Sequence, residues 1–381
     1  MATTLTKWPR TKVKHLAEYI TVGFVGSMSH LFCDDGVPLL RGQNIKPYSL
    51  DLSNLKFISL ETHRKWKKSA LLPGDVAIVR VGYPGTACVI PEGIGNLNAA
   101  SLVIVRPDKK LLDSKFFCYV INSPWGKSQV LGRLVGSAQQ VFNTQTAADL
   151  EIPAPPLPIQ RKIAGILSAY DDLIENNLRR IKILEEMAQS LFREWFVHFR
   201  FPGHESAKLV DSPLGQIPKG WEVKKLEQIL ELKYGKALKK EDRRDGQYPV
   251  FGSSGIVGTH DTSLTKGPGI VVGRKGNVGS VFWSDEDFFV IDTAYFVKSH
   301  LPLRFLFYLL PTLNFINSDA AVPGLSRQQA YTLETIVPPT DLLFKFCTLA
   351  DSFEKQASMH RRQNQNLRRT RDLLLPKLLS P

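Results

Sequence analysis

At 381 residues, with 43% hydrophobic and 10% aromatic residues, the chain is long enough for two or three domains, each with a core of its own. Forty-nine Lys and Arg stand against 36 Asp and Glu, a net charge of +13, which suits a polyanion: nucleic acid first, an anionic membrane surface second, or else a basic but uninvolved surface. Cys33, Cys88, Cys118 and Cys347 form no CxxC pair and read as reduced thiols. No apolar run reaches the roughly 20 residues that cross a bilayer, and MATTLTKWPRTKVKHL lacks the apolar stretch of a signal peptide. The expectation is a cytoplasmic protein with no membrane partner.

The pattern opens at Trp8 with the short amphipathic stretch Val13-Lys14-His15-Leu16. Gly74-Asp75 then precedes the apolar run Val76–Val79 and the turn Arg80-Val81-Gly82-Tyr83-Pro84-Gly85, the signature of a strand followed by a loop. Asn98–Val103 reads as a second strand and Ser114–Asn122 as a helix. FNTQTAADLEIPAPP (Phe142–Pro156) closes this β-rich part, taken as residues 1–157. A long helix follows, roughly Ile159–Phe199 within residues 158–200, and then a Pro/Gly-rich exposed linker over residues 201–220.

A second β-rich part, residues 221–340, repeats the first. Trp221 and Val223–Leu226 match the opening, Ile270–Val272 after Gly267-Pro268-Gly269 and then Arg274-Lys275-Gly276-Asn277 match the strand and loop, and Pro302–Leu310 matches the helix. LSRQQAYTLETIVPP (Leu325–Pro339) returns 183 residues after its counterpart, with Leu333-Glu334 on Leu150-Glu151 and Pro338-Pro339 on Pro155-Pro156. The same frame continues into a second long helix, Leu342–Leu379 within residues 341–381. A period this long is a duplicated domain-plus-helix unit, well beyond the 20–50 residues of a solenoid repeat. The class is therefore α+β: two β-rich domains, each followed by a long helix.

In the first helix Ile163, Tyr170, Asn177 and Leu184 fall seven apart, with Leu167, Ile174 and Ile181 as the complementary series. Shifted by 183, the second seam holds Phe353, His360 and Leu367 with Ala350, Ala357, Asn364 and Arg371. An antiparallel coiled coil centred on Asn177 opposite Asn364 places small residues against large ones and Tyr170 against Arg371 for a cation–π contact. It would relate the two halves by a pseudo-twofold axis. The same seam also suits association between whole chains.

Catalytic motifs are missing from the sequence. There is no GxxxxGK[ST] loop, no HExxH, no GxSxG, and no His/Cys cluster at metal-ligand spacing; Gly267–Gly273 is not a dinucleotide fingerprint and begins a strand. Nuclease carboxylate pairs have no distinctive spacing, so a nuclease stays among the alternatives. The residues suited to DNA are clustered. Arg41, Gln43, Asn44 and Lys46 combine the types that reach guanine and adenine edges, or else cap a turn. Gln140 and Gln145 in the first half correspond to Arg327, Gln328 and Gln329 in the second. Arg80, and the loop with Arg274, Lys275 and Asn277, suit phosphates, their glycines letting the backbone approach. Lys236, Lys239 and Arg243 belong to a basic run suited either to a phosphate backbone or to solvent.

This order of elements, with PLGQIPKGW (Pro213–Trp221) before the second half and Gln160–Ile166 opening the first helix, resembles the specificity subunit of type I restriction–modification enzymes. The resemblance implies two target recognition domains reading the halves of a bipartite sequence in double-stranded DNA, with the helices as a spacer. Two modification (methyltransferase) subunits and the restriction (translocase/endonuclease) subunits would be its partners. S-adenosylmethionine, ATP and magnesium would belong to those partners, leaving this chain noncatalytic and without a cofactor or metal. A type IIB-like reader, a stand-alone bipartite DNA binder and a nuclease remain alternatives. About 35 helical residues span roughly 50 Å at 1.5 Å per residue, enough to hold readers on half-sites about 34–36 Å apart.

Overall fold

A computed structural model describes residues 8–133, 141–315 and 324–379. Two compact units result: the described parts of Met1–Leu178 with Arg361–Pro381, and Arg179–His360. The division falls inside each of the two long helices, Leu157–Phe192 and Thr340–Leu379.

In the first unit a four-stranded antiparallel sheet runs in the order Ala87–Val89, Val76–Val79, Leu102–Pro107, Ala17–Val22. Strand Val76–Val79 is apolar throughout because both of its faces are covered. Val76 and Ile78 point into a core with Phe116, Phe117 and Val120, whereas Ala77 and Val79 join Leu102 and Ile104 on the other side. The second face is closed by a five-stranded mixed sheet containing Val37–Leu40 and, parallel to it, Leu97–Ala99. Helix Ser114–Asn122 starts where the Asp113 carboxylate accepts the Phe116 N–H at 2.9 Å. It is pinned to the sheet edge by Asn122, which accepts from Ala87 N at 3.1 Å and donates to Ala87 O at 2.7 Å.

The second unit has the same four-stranded pattern: Leu230–Tyr234, Ala294–Ser299, Gly269–Gly273, Val281–Ser284. Ile270 and Val272 face one core while Val271 faces another with Phe251 and Phe288. Its second sheet has three strands, fewer than in the first unit. The repeated segments do the same work in both units. Glu151–Pro153 pairs with Arg10–Lys12, and Glu334–Val337 pairs with Glu222–Lys225. Leu150 O accepts from Val13 N at 2.9 Å, and Leu333 O from Leu226 N at 2.8 Å.

Three features differ from the sequence expectation. Residues 201–220 form a 3-10 turn, His204–Ser206, and a hairpin, Leu209–Ser212 with Gly215–Pro218; Ile217 is buried, and Trp221 packs against Phe196, Phe199 and Phe201. The first helix is regular only to Phe192, after which a widened turn, Arg193–Val197, lets Trp195 and Phe196 both enter the core. At the end of the second helix Leu375 and Leu379 take the fully buried places, while Leu374 and Leu378 are half-buried; a helix of 3.6 residues per turn drifts off a strict heptad.

All four cysteines are free thiols. Burial pushes the Cys88 thiol up to about 12 and that of Cys347 up to about 11, so neither is a nucleophile near neutral pH. Among the described residues, no helix is long and apolar enough to cross a membrane.

Candidate nucleic-acid interface

The long helices pair antiparallel in each unit. In the first, Ile163 and Leu167 of one helix share a core with Leu375 and Leu379 of the other. Ile174 and Asn177 are buried there, and Tyr170 and Leu367 are half-buried. Asn177 Nδ2 donates to Asn364 Oδ1 at 2.9 Å, and Asn364 Nδ2 donates to the Ile174 carbonyl at 3.3 Å. In the second unit Phe192 and Trp195 pack with Phe346 and Ala350; Ile181 and Ala357 are buried, while Leu184, Phe353 and His360 are half-buried. The amide pair specifies register by geometry. Asn177→Ala should destabilise the protein by about 1–3 kcal/mol by stranding the Asn364 carbonyl oxygen, whereas Asn177→Leu with Asn364→Leu should be near neutral in a urea titration.

Arg371 corrects one expectation: its cation–π partner is Tyr48, at 4.3 Å, not Tyr170. The guanidinium is also ion-paired with Asp171, which accepts the Tyr119 hydroxyl, and it bonds Asp372 at 2.9 Å. Burial pushes the Tyr48 and Tyr119 phenols up, so both stay protonated. Tyr48 and Tyr119 belong to the β-rich part and Asp171 and Arg371 to the helices, so this cluster ties one to the other inside the first unit. A cleft of about 760 Å³ lies beside it, with Lys46, Lys115 and Arg368 among its lining residues.

The predicted DNA-facing residues fall into distinct settings. Arg41 begins a 3-10 turn, Gly42–Asn44, in which Asn44 is buried. The Asn44 amide accepts from Arg41 N at 3.1 Å and donates to the Asp51 and Ser53 carbonyls, so a base edge would have to displace these bonds. Gln43 is exposed, and Lys46 pairs with Asp51 at 3.7 Å. Arg80 is half-buried, which pulls its pKa down, and its Nε donates to Phe142 O at 3.3 Å. Gln145 is exposed on the short helix Thr144–Ala148 and reaches Asp149. Gln140 lies outside the described residues.

In the second unit Lys236 and Lys239 are exposed. Arg243 is folded back, its Nη1 donating to Val257 O at 2.7 Å, and Arg244 pairs with Asp261 at 3.0 Å. The basic run is thus divided between tethered and free cations. Arg274 donates to Asp292 O at 3.0 Å; Lys275, Asn277 and Gln328 are exposed; Gln329 and Arg327 are half-buried.

Structure brings the matched loops together in both units. Phe142 N donates to Arg80 O at 3.1 Å, and Leu325 N donates to Arg274 O at 2.7 Å. Each loop closes through a glycine: Gly85 N bonds Val79 O at 3.1 Å and Gly279 N bonds Gly273 O at 2.9 Å, with positive φ at Gly82, Gly85, Gly276 and Gly279. The short helices beside them are capped alike, by Asn143 and by Ser326.

Sequence reasoning missed two tyrosines. Tyr83, in the Arg80 loop, is 83% exposed. Tyr234, 47% exposed, ends strand Leu230–Tyr234 with the guanidinium carbons of both Arg274 and Arg327 at 5.0 Å from its ring centre. The signal available was an aromatic residue just before Gly235-Lys236, a strand end followed by a turn. Gly235 is required there, since an added Cβ would lie 2.1 Å from Ile291 O.

Duplicated β-rich units, antiparallel helix segments and matched basic loops make up the architecture, and comparison with known proteins gives it a family. The profile described as "Type I restriction modification DNA specificity domain" matches residues 53–186 and again 218–337, well over half of the chain. The chain belongs to that family. It is 26% identical over 277 residues to the "Type I restriction enzyme MjaIX specificity subunit" of Methanocaldococcus jannaschii, a match covering 64% of this chain and 63% of that protein. It is also 26% identical over 167 residues to the "Type I restriction enzyme EcoBI specificity subunit" of Escherichia coli, covering 42% of this chain and 35% of that one. These matches span less than two thirds of the curated relatives' length. The crystal structure of the type I restriction–modification system S subunit from M. genitalium is similar with a TM-score of 0.61, covering 99% of this chain and 97% of that one. At 18% identity that likeness is one of fold.

Proposed function

We propose that the chain is the sequence-specific DNA-recognition subunit of a type I restriction–modification complex, reading a bipartite target with one unit per half-site. Family membership supports this reading, and the observation that carries it is the duplication down to the loops. Arg80 beside Phe142–Gln145 and Arg274 beside Leu325–Gln328 are held by equivalent backbone bonds but carry different side chains. Equivalent frames with different contents suit two different half-sites. The net charge of +13 supplies the sequence-blind attraction to phosphates.

On this reading the chain is noncatalytic and has no cofactor of its own. Two methyltransferase subunits carry S-adenosylmethionine, and the restriction subunits carry ATP and magnesium. The helices set the separation between half-sites. Exchanging residues 1–157 for the corresponding part of a relative, followed by sequencing of methylated sites in cells that also express the methyltransferase, should change one half-site and keep the other. Both halves changing, or neither, would end the one-unit-one-half assignment.

A further inference from the structure

We infer that Tyr234 is a positioning residue that holds Arg274 and Arg327 as a phosphate clamp for the DNA backbone. This rests on the DNA-reading role above and deepens it. The guanidinium carbons of both arginines stand 5.0 Å from the centre of the Tyr234 ring. A second ring steadies each: Tyr295 at 5.9 Å from Arg274 and Tyr331 at 6.0 Å from Arg327. Tyr295 is buried, packs against Tyr234 edge to face at 5.0 Å, and donates its hydroxyl to Leu325 O at 2.9 Å. The platform is therefore anchored in the core by Tyr295, and Tyr234, 47% exposed, is its outer member.

Charge decides what the clamp takes. Among the described residues no carboxylate pairs with Arg274 or Arg327. Arg106, Arg200 and Arg304 each have one, and Arg371 has two. With neither charge compensated among the described residues, two cations at one ring repel each other, and an anion bound to both relieves that cost. A guanine edge presents two acceptors but no net charge, whereas a phosphodiester presents two acceptor oxygens and a full negative charge. The backbone beside Arg274 is open to close approach, with exposed Lys275 and with Gly276 at φ +80°. The ring contacts restrain both guanidinium groups, so less freedom is lost when a phosphate binds.

The test uses the full-length chain on two duplexes, one carrying its methylated sequence and one unrelated, with affinity measured against salt concentration. Phosphate contacts are blind to sequence, so the unrelated duplex tests the clamp even if bipartite recognition fails, and sequence preference on the first duplex tests that recognition separately. Arg274→Gln with Arg327→Gln should weaken binding to both duplexes and flatten the slope of log affinity against log salt by about 2. Tyr234→Leu leaves both charges in place and should weaken both by up to about tenfold, while Tyr234→Phe should bind as the unchanged protein does. Thermal melting of each variant separates lost binding from lost folding. Unchanged binding by Tyr234→Leu, an unchanged salt slope in the double arginine variant, or a loss confined to the cognate duplex would overturn the clamp.

Discussion

Replacing Arg371 by Met is expected to destabilise the first unit by about 3 kcal/mol, the low end for breaking one partner out of a buried ion pair. The arginine side chain is 11% exposed and that of Asp171 is 22% exposed. Without the guanidinium, Asp171 keeps the Tyr119 hydroxyl but loses its only cation partner among the described residues, and Tyr48 loses the group stacked on its face. The penalty lies mostly in the stranded carboxylate, so Asp171→Leu combined with Arg371→Met should recover much of the loss. Arg371→Lys should fall between, since lysine keeps the charge but not the planar fork that reaches Asp171 and Asp372 together. Urea unfolding of the three variants would decide this; a double variant as unstable as the single one would show that shape, not charge, holds the contact.

Phe346→Ala should cost more, about 3–5 kcal/mol. Phe346 is fully buried in the second unit, and its ring lies 5.9 Å from Phe192, 6.3 Å from Trp195 and 5.1 Å from Phe196. Those three residues come from the first long helix and the turn after it, whereas Phe346 is in the second, so the cavity would open in the seam between them. Phe346→Leu fills most of that volume and should cost well under half as much. A loss below about 1 kcal/mol for the alanine variant in the same urea assay would mean that this seam contributes little.

The helix register was legible in the sequence because it rests on two short-range facts: a seven-residue period, and a buried polar residue that must meet its equivalent. Asn177 and Asn364 satisfied both. Strands Val76–Val79 and Gly269–Gly273 were also legible, since a run of β-branched residues between glycines allows few other structures. Arg371 was misplaced because a seam position specifies a neighbouring helix and says nothing of a loop such as Lys46–Leu50 folding over it. The hairpin in residues 201–220 was hidden for a related reason: its strands are mostly exposed and carry no apolar alternation. At the interface the sequence supplied residue types without their tethers. It put Asn44 and Gln43 in one group, although one is buried in a turn and the other is exposed. Tyr234 carries no motif, and only the meeting of two distant loops over its ring marks it.

The most direct test of a two-part reader is to express the chain with its methyltransferase subunits and sequence every methylated site in the genome. The predicted result is one sequence in two specific parts, separated by a gap of constant length. Methylation at a single uninterrupted sequence, or at two parts whose spacing varies freely, would contradict it.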